Sequence, residues 1–133
     1  MIYSGIDIIE VDRIDQAILR HGQRFFDRFF TAQEIIDAGG RTPALAARFA
    51  VKEAVAKALG TGIGDVSWKE IEVCQESNRK PKLKLYGRAN DLAAEMEIES
   101  WSISISHTRY HAVAVAFGVA GVPIERLNLK GKE

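Results

Sequence analysis

A single cysteine, Cys74, in 133 residues removes disulfide frameworks and four-cysteine zinc sites together, and it points to a reducing compartment. A bound metal must then use oxygen or imidazole ligands. No stretch approaches the ~18–20 apolar residues of a helical membrane span. A dominant sign of charge is also missing: 18 Lys+Arg stand against 18 Asp+Glu, which argues against nucleic acid as a partner and leaves local patches open. The opening segment carries Asp7, Glu10 and Asp12 and has no basic run leading into an apolar one, so no secretory signal is expected and the chain reads as soluble and cytoplasmic, with no membrane partner. With only three prolines and no repeat, linker or low-complexity tract, one domain over 1–133 is expected, irregular beyond about residue 123. At this length roughly two-thirds of the unfolded surface is buried on folding, enough for a core without staples.

Ile2 to Ile9 is apolar and β-branched apart from Ser4, Gly5 and Asp7, which predicts a mostly buried first strand. From Asp12 to Phe30 the period becomes helical. Ile14, Ile18, Phe25 and Phe29 fall on one side, with Leu19, Phe26 and Phe30 widening it, and Arg13, Arg20, Arg24 and Arg28 fall on the other. Gly22 is a candidate break. Thr31-Ala32-Gln33-Glu34 is a capping-box pattern that starts a short helix ended by Gly39-Gly40. Thr42 at the N-cap and Pro43 in the first turn open an alanine-rich helix to Leu59, with Gly60 as its stop. Strands are predicted over Ile71 to Gln75 and Leu83 to Tyr86, forming a hairpin, and a helix over Arg88 to Glu97. Trp101, Ile103 and Ile105 alternate with serines, the pattern of a half-buried strand. His111 to Val119 is apolar on both faces and needs cover on both.

Two carboxylates are out of place. Asp7 lies within an apolar strand, where an unpaired charge costs several kcal/mol. Glu53 lies within ~40° of Ala46, Phe49 and Lys57 on the helical wheel, and so projects from the apolar stripe. Two readings stand side by side: Glu53 pairs with Lys57 at i,i+4 and Asp7 caps a turn, or the two hold Mg²⁺, which takes few protein oxygens and shares its shell with water and phosphate. Phosphate-binding material surrounds them: Arg48, Lys52, Lys57 and the loop Gly60-Thr61-Gly62-Ile63-Gly64, although that loop is neither G-x-G-x-x-G nor a P-loop. His107 ends a strand at a turn, where side chains reach sites. Cys74 is expected in the core and His111 in a structural role. The arginine face is either solvated or an attractor for an acidic helical partner.

Three segments carry a resemblance. Gly5-Ile6-Asp7-Ile8 with Glu10 and Arg13-Ile14, then Arg48-Phe49-Ala50-x-Lys52-Glu53-Ala54-x-x-Lys57-Ala58-Leu59-Gly60, then Ser104-Ile105-Ser106-His107 resemble the bacterial holo-acyl-carrier-protein synthases, small 4′-phosphopantetheinyl transferases. The similarity runs in order to about Val119. It implies an α+β fold, a small antiparallel sheet wrapped by helices, assembled as a homotrimer with its sites between subunits. The implied activity moves the phosphopantetheine arm of coenzyme A onto a serine of apo-acyl carrier protein and releases adenosine 3′,5′-bisphosphate. By the same resemblance, Asp7 and Glu53 hold Mg²⁺ and are catalytic with Lys57. Lys57, Gly60, Gly62, Gly64 and His107 contact coenzyme A, with Arg48, from the phosphate-binding residues of the helix, expected to join them, and Arg13, Arg20 and Arg24 dock the acidic carrier protein. Glu53 or a metal-activated water takes the serine proton. Arg79-Lys80 before Pro81 departs from the glycine found there in many members. Two other functions compete: a non-catalytic oligomeric adaptor holding an acidic partner on the arginine-rich helix, and a metal-dependent nucleotide pyrophosphatase using the same carboxylates.

Overall fold

The computed structural model describes residues 1–61, 65–78 and 80–121. Its centre is the alanine-rich helix α4 (Thr42–Ala58), preceded by strand β1 (Ile2–Glu10) and helices α1 (Val11–His21), α2 (Gln23–Phe29) and α3 (Ala32–Ala38). A 3₁₀ turn (Trp68–Glu70), the hairpin β2 (Ile71–Gln75) and β3 (Pro81–Leu85), helix α5 (Gly87–Glu95), and the long strands β4 (Ile98–His107) and β5 (His111–Ala120) follow. Gly22, at φ +54°, does divide the arginine-bearing stretch into two helices. Thr31 and Glu34 form the predicted capping box. Thr42 is the first helical residue and not the cap, since the extended residue before the helix is Arg41; the Thr42 hydroxyl donates to Asp15 at 2.7 Å.

Two antiparallel sheets result, one ordered β1-β5-β4 and the other β2-β3. The α+β class holds, with one qualification: helices cover only one face of the larger sheet. That face carries Gly5, Asp7 and Ile9 of β1, Ala112, Ala114 and Ala116 of β5, and Trp101, Ile103 and Ile105 of β4, in register with one another. Small side chains there let α4 approach closely. Ala112, Ala114 and Ala116 are fully buried, as are Ala46, Ala50 and Ala54 of the helix. Gly5 is required at its position, since a Cβ there would lie 1.8 Å from the Ala54 carbonyl oxygen.

The opposite face is bare among the described residues. Ile2, Ile6 and Ile8 are exposed, the latter two by 62% and 63%, beside exposed Phe117 and Val119 and half-buried Val113 and Val115. The expectation of a mostly buried first strand therefore fails for its even-numbered residues: alternation turns them away from α4, and among the described residues nothing lies over them. Leu19 also departs from expectation, at the solvent side of α1 and exposed.

Lys52 is corrected as well. It is wholly buried, its ammonium donating to Glu34 Oε1 at 2.8 Å and to the carbonyls of Trp68 and Ile71. Burial lowers its pKa, and Glu34 opposes that fall. It holds α4 to α3 and β2 and is not available to a phosphate. Glu34 completes the junction by accepting from the Val73 amide at 3.0 Å.

Candidate functional site

Along α4, Phe49, Glu53 and Lys57 recur every four residues and form one stripe. That stripe walls a cleft of about 590 Å³. β1 adds Asp7, Ile8 and Ile9; α1 adds Arg13, Ile14, Ala17 and His21; α2 adds Arg24, Phe25, Arg28 and Phe29. The aromatic residues interlock, with ring centroids 4.9 Å apart for Phe25–Phe29 and 5.6 Å for Phe29–Phe49, and Trp68 stacks on Phe49 at 4.5 Å. The floor is therefore apolar and rigid, and the wall is charged.

Asp7 and Glu53 meet in this cleft. Lys57 Nζ lies 3.2 Å from Asp7 Oδ1 and donates to the Ile6 carbonyl at 2.9 Å. The lysine thus turns to Asp7 and not to Glu53, against the i,i+4 pairing that sequence spacing allows. Glu53 is left half-buried, and its pKa is raised, first by burial and then by the neighbouring Asp7 charge, while Lys57 counteracts. A carboxyl raised by a second carboxylate is one whose charge a cation would relieve.

Of the arginines, Arg13, Arg24 and Arg28 line the cleft and Arg20 does not; it stands exposed on α1. Sequence reasoning left Arg28 and His21 out of the docking set. The signal was present: Arg28 follows Arg24 by one helical turn, and His21 follows Ala17 by another.

Arg48 and His107 are brought together elsewhere. They line a second cleft of about 390 Å³ with Arg41, Cys74, Pro81 and Ser104, and it shares no lining residue with the first. Arg48 sits about 100° around α4 from Phe49. One of its guanidinium nitrogens donates to Ala44 O at 3.0 Å, and its buried Nε has no partner among the described residues. Burial lowers its pKa. Cys74 is half-exposed at this cleft, not core, and its sulfur lies 3.4 Å from Glu72. His111 is exposed at the start of β5. Gly60 ends α4 at φ +74°, whereas Gly62, Gly64 and Arg79 lie outside the described residues.

The comparisons with known proteins decide the family. A model described as "4'-phosphopantetheinyl transferase superfamily" matches residues 4–116. A holo-[acyl-carrier-protein] synthase of Herpetosiphon aurantiacus is 44% identical over 126 residues, 90% of this chain and 99% of the relative. The chain belongs to the 4′-phosphopantetheinyl transferase superfamily. A second relative, the holo-[acyl-carrier-protein] synthase of Alkaliphilus metalliredigens, is 48% identical over 115 residues, 84% of this chain and 93% of its own. Among solved structures, the Helicobacter pylori holo-[acyl-carrier-protein] synthase in complex with coenzyme A superposes with a TM-score of 0.80 at 33% identity, covering 90% of this chain and all of that one.

For this phosphopantetheinyl transferase chain, the donor set of the first cleft tests the metal that the family implies. Two carboxylates converge, the Asp7 charge adds to burial in raising Glu53 while Lys57 only opposes it, and among the described residues no group of three or more His, Cys, Asp or Glu side chains gathers around a common point. A pair of carboxylates fits Mg²⁺, which keeps waters and takes its remaining oxygens from a phosphate.

Proposed function

We propose that this chain transfers the 4′-phosphopantetheine group of coenzyme A to a serine of an apo-acyl carrier protein, in the service of fatty acid biosynthesis, and releases adenosine 3′,5′-bisphosphate. The convergence of Asp7, Glu53 and Lys57, distant in sequence, in one arginine-rimmed cleft carries this reading. Asp7 and Glu53 are the residues to hold Mg²⁺, which would neutralise charge on the coenzyme A diphosphate. Glu53, in the cleft beside Asp7, or a water at the metal would accept the serine proton as the serine oxygen bonds to phosphorus and the bond to the departing adenosine bisphosphate breaks. Lys57 adds a cation for the diphosphate.

Arg13, Arg24 and Arg28 meet the acidic carrier at the rim, and the apolar floor lies beneath that contact. Arg20 contributes only at longer range. The bare sheet face, with Ile2, Ile6, Ile8, Phe117 and Val119, is a surface for further copies of the chain, in keeping with a homotrimer. In such an assembly Arg48 and His107 of one copy complete, with Gly60 and the loop after it, the coenzyme A site whose carboxylates belong to another. The unpartnered Arg48 Nε supports an anion there. Among the described residues no helix is long and apolar enough to cross a membrane; the proposed place of action is the cytoplasm, and the family match over residues 4–116 supports one domain.

The test is to incubate the chain with several apo-carrier proteins, coenzyme A and Mg²⁺ and to weigh each carrier by mass spectrometry. A carrier heavier by one phosphopantetheine is expected. Carriers that bind but stay unmodified would establish an adaptor, and coenzyme A consumed without any carrier would establish a pyrophosphatase.

A further inference from the structure

Lys57 is the one cation hydrogen-bonded to Asp7 among the described residues. Its ammonium is held from two sides, by Asp7 Oδ1 at 3.2 Å and the Ile6 carbonyl at 2.9 Å. The Asp7 side chain is 18% exposed and that of Lys57 53%, so the carboxylate is sheltered while the lysine stem is free to swing. Glu53, one turn before Lys57 on the same stripe, has neither a side-chain hydrogen bond nor an ion pair among the described residues; its raised pKa follows from burial and Asp7.

We propose that Lys57 is a built-in competitor for the divalent cation: it occupies Asp7 until an ion displaces it, and the displaced ammonium is then free for the phosphate anion in the same cleft. This rests on the reading of Asp7 and Glu53 as the metal ligands. An ammonium and a divalent ion on one carboxylate repel each other, so the ion binds only as Lys57 withdraws. A lysine has four carbons of flexible stem and carries its charge as a compact point, which suits such an exchange. The lysine cost of binding the ion alone is offset when an anion receives the ammonium. Metal and anion binding are thereby coupled through this side chain, in addition to any direct bond between them, and the coupling is reciprocal.

The competition is measured with Mg²⁺ alone, by isothermal titration in the absence of coenzyme A. Removing a nearby positive charge and a half-exposed ion pair predicts that Lys57→Met binds Mg²⁺ about five- to tenfold more tightly than the wild type. Lys57→Arg keeps the charge and is expected to match the wild type within about twofold. A Lys57→Met protein that binds Mg²⁺ no more tightly than the wild type overturns the proposal. A second readout needs no variant: amine labelling followed by mass spectrometry is expected to show Lys57 reacting faster when Mg²⁺ is added, relative to exposed Lys69 and Lys82. Labelling that Mg²⁺ leaves unchanged also overturns it. The carrier-modification assay separates this inference from the functional reading. An active wild type whose Lys57→Met form shows no gain in Mg²⁺ affinity defeats only the competition, and an inactive wild type whose Lys57→Met form does gain affinity defeats only the transferase.

Discussion

Gly5→Ala is the smallest change that tests how the site is assembled, because Gly5 lies in β1 two residues before Asp7, against the helix that bears Glu53. The new methyl would sit 1.8 Å from Ala54 O, 2.8 Å from Ala54 C and 3.0 Å from Ala58 N, all backbone atoms of α4. No rotamer relieves such a clash. Ordinary contact requires the two backbones to part by about 1.5 Å, and a close-packed interior transmits that shift along the element. Overpacking by one carbon costs about 1–3 kcal/mol where side chains can yield; here both partners are main chain, so about 3 kcal/mol or more is expected. A loss of that size is a large share of the ~5–15 kcal/mol that holds a domain folded. Urea denaturation at fixed protein concentration is expected to show a midpoint lower by about 1–2 M. Mg²⁺ affinity, measured where the variant remains folded, is expected to fall because Asp7 moves away from Glu53. A midpoint within about 0.3 M of the wild type would refute the argument that the contact between β1 and α4 sets the geometry of the carboxylates.

Other outcomes are specific to single side chains. Lys52→Met strands the Glu34 carboxylate in the core and is expected to cost about 3–5 kcal/mol by chemical denaturation; adding Glu34→Gln should recover a large part of it, and an equally unstable double variant would contradict the pairing. Glu53→Gln is expected to abolish transfer yet to stabilise the metal-free protein at neutral pH. The raised pKa of Glu53 gives a contribution complete below the ordinary value of 4.5 and lost as pH climbs through the raised one. Thermal melts against pH should show that decline in the wild type and its loss in the variant. Arg28→Glu should raise the KM for the carrier about tenfold, more than Arg20→Glu, with the KM for coenzyme A unchanged in steady-state assays. Phe117→Lys places a charge on the bare sheet face and should lower the oligomer mass seen by light scattering while circular dichroism stays native.

The elements were largely legible because local signals agreed: alternation in β4, the Thr31–Glu34 capping box, the proline start and glycine stop of α4, and Gly22 between α1 and α2. Burial was less so. Ile2, Ile6 and Ile8 have the same composition as core residues, and only the sheet's single cover shows that they face outward. Lys52 and Lys57 were both read as cations open to a phosphate, because spacing along a helix does not say which side is covered. Five residues of separation place them on different sides of α4, one walled in by Glu34 and β2 and the other at the cleft beside Asp7.

Taken by itself, the order of residues determined the family, the helices and strands, and the two carboxylates that do not belong among apolar neighbours, since periodicity and misplaced charge are written locally. Tertiary structure alone decided that Lys57 faces Asp7, that Arg20 stays outside the cleft, and that Arg48 and His107 share a different one. Those outcomes depend on which face of each helix meets a strand far away in the chain. That choice is made by packing, where a glycine such as Gly5 permits close approach and a buried ion pair such as Lys52–Glu34 fixes rotation.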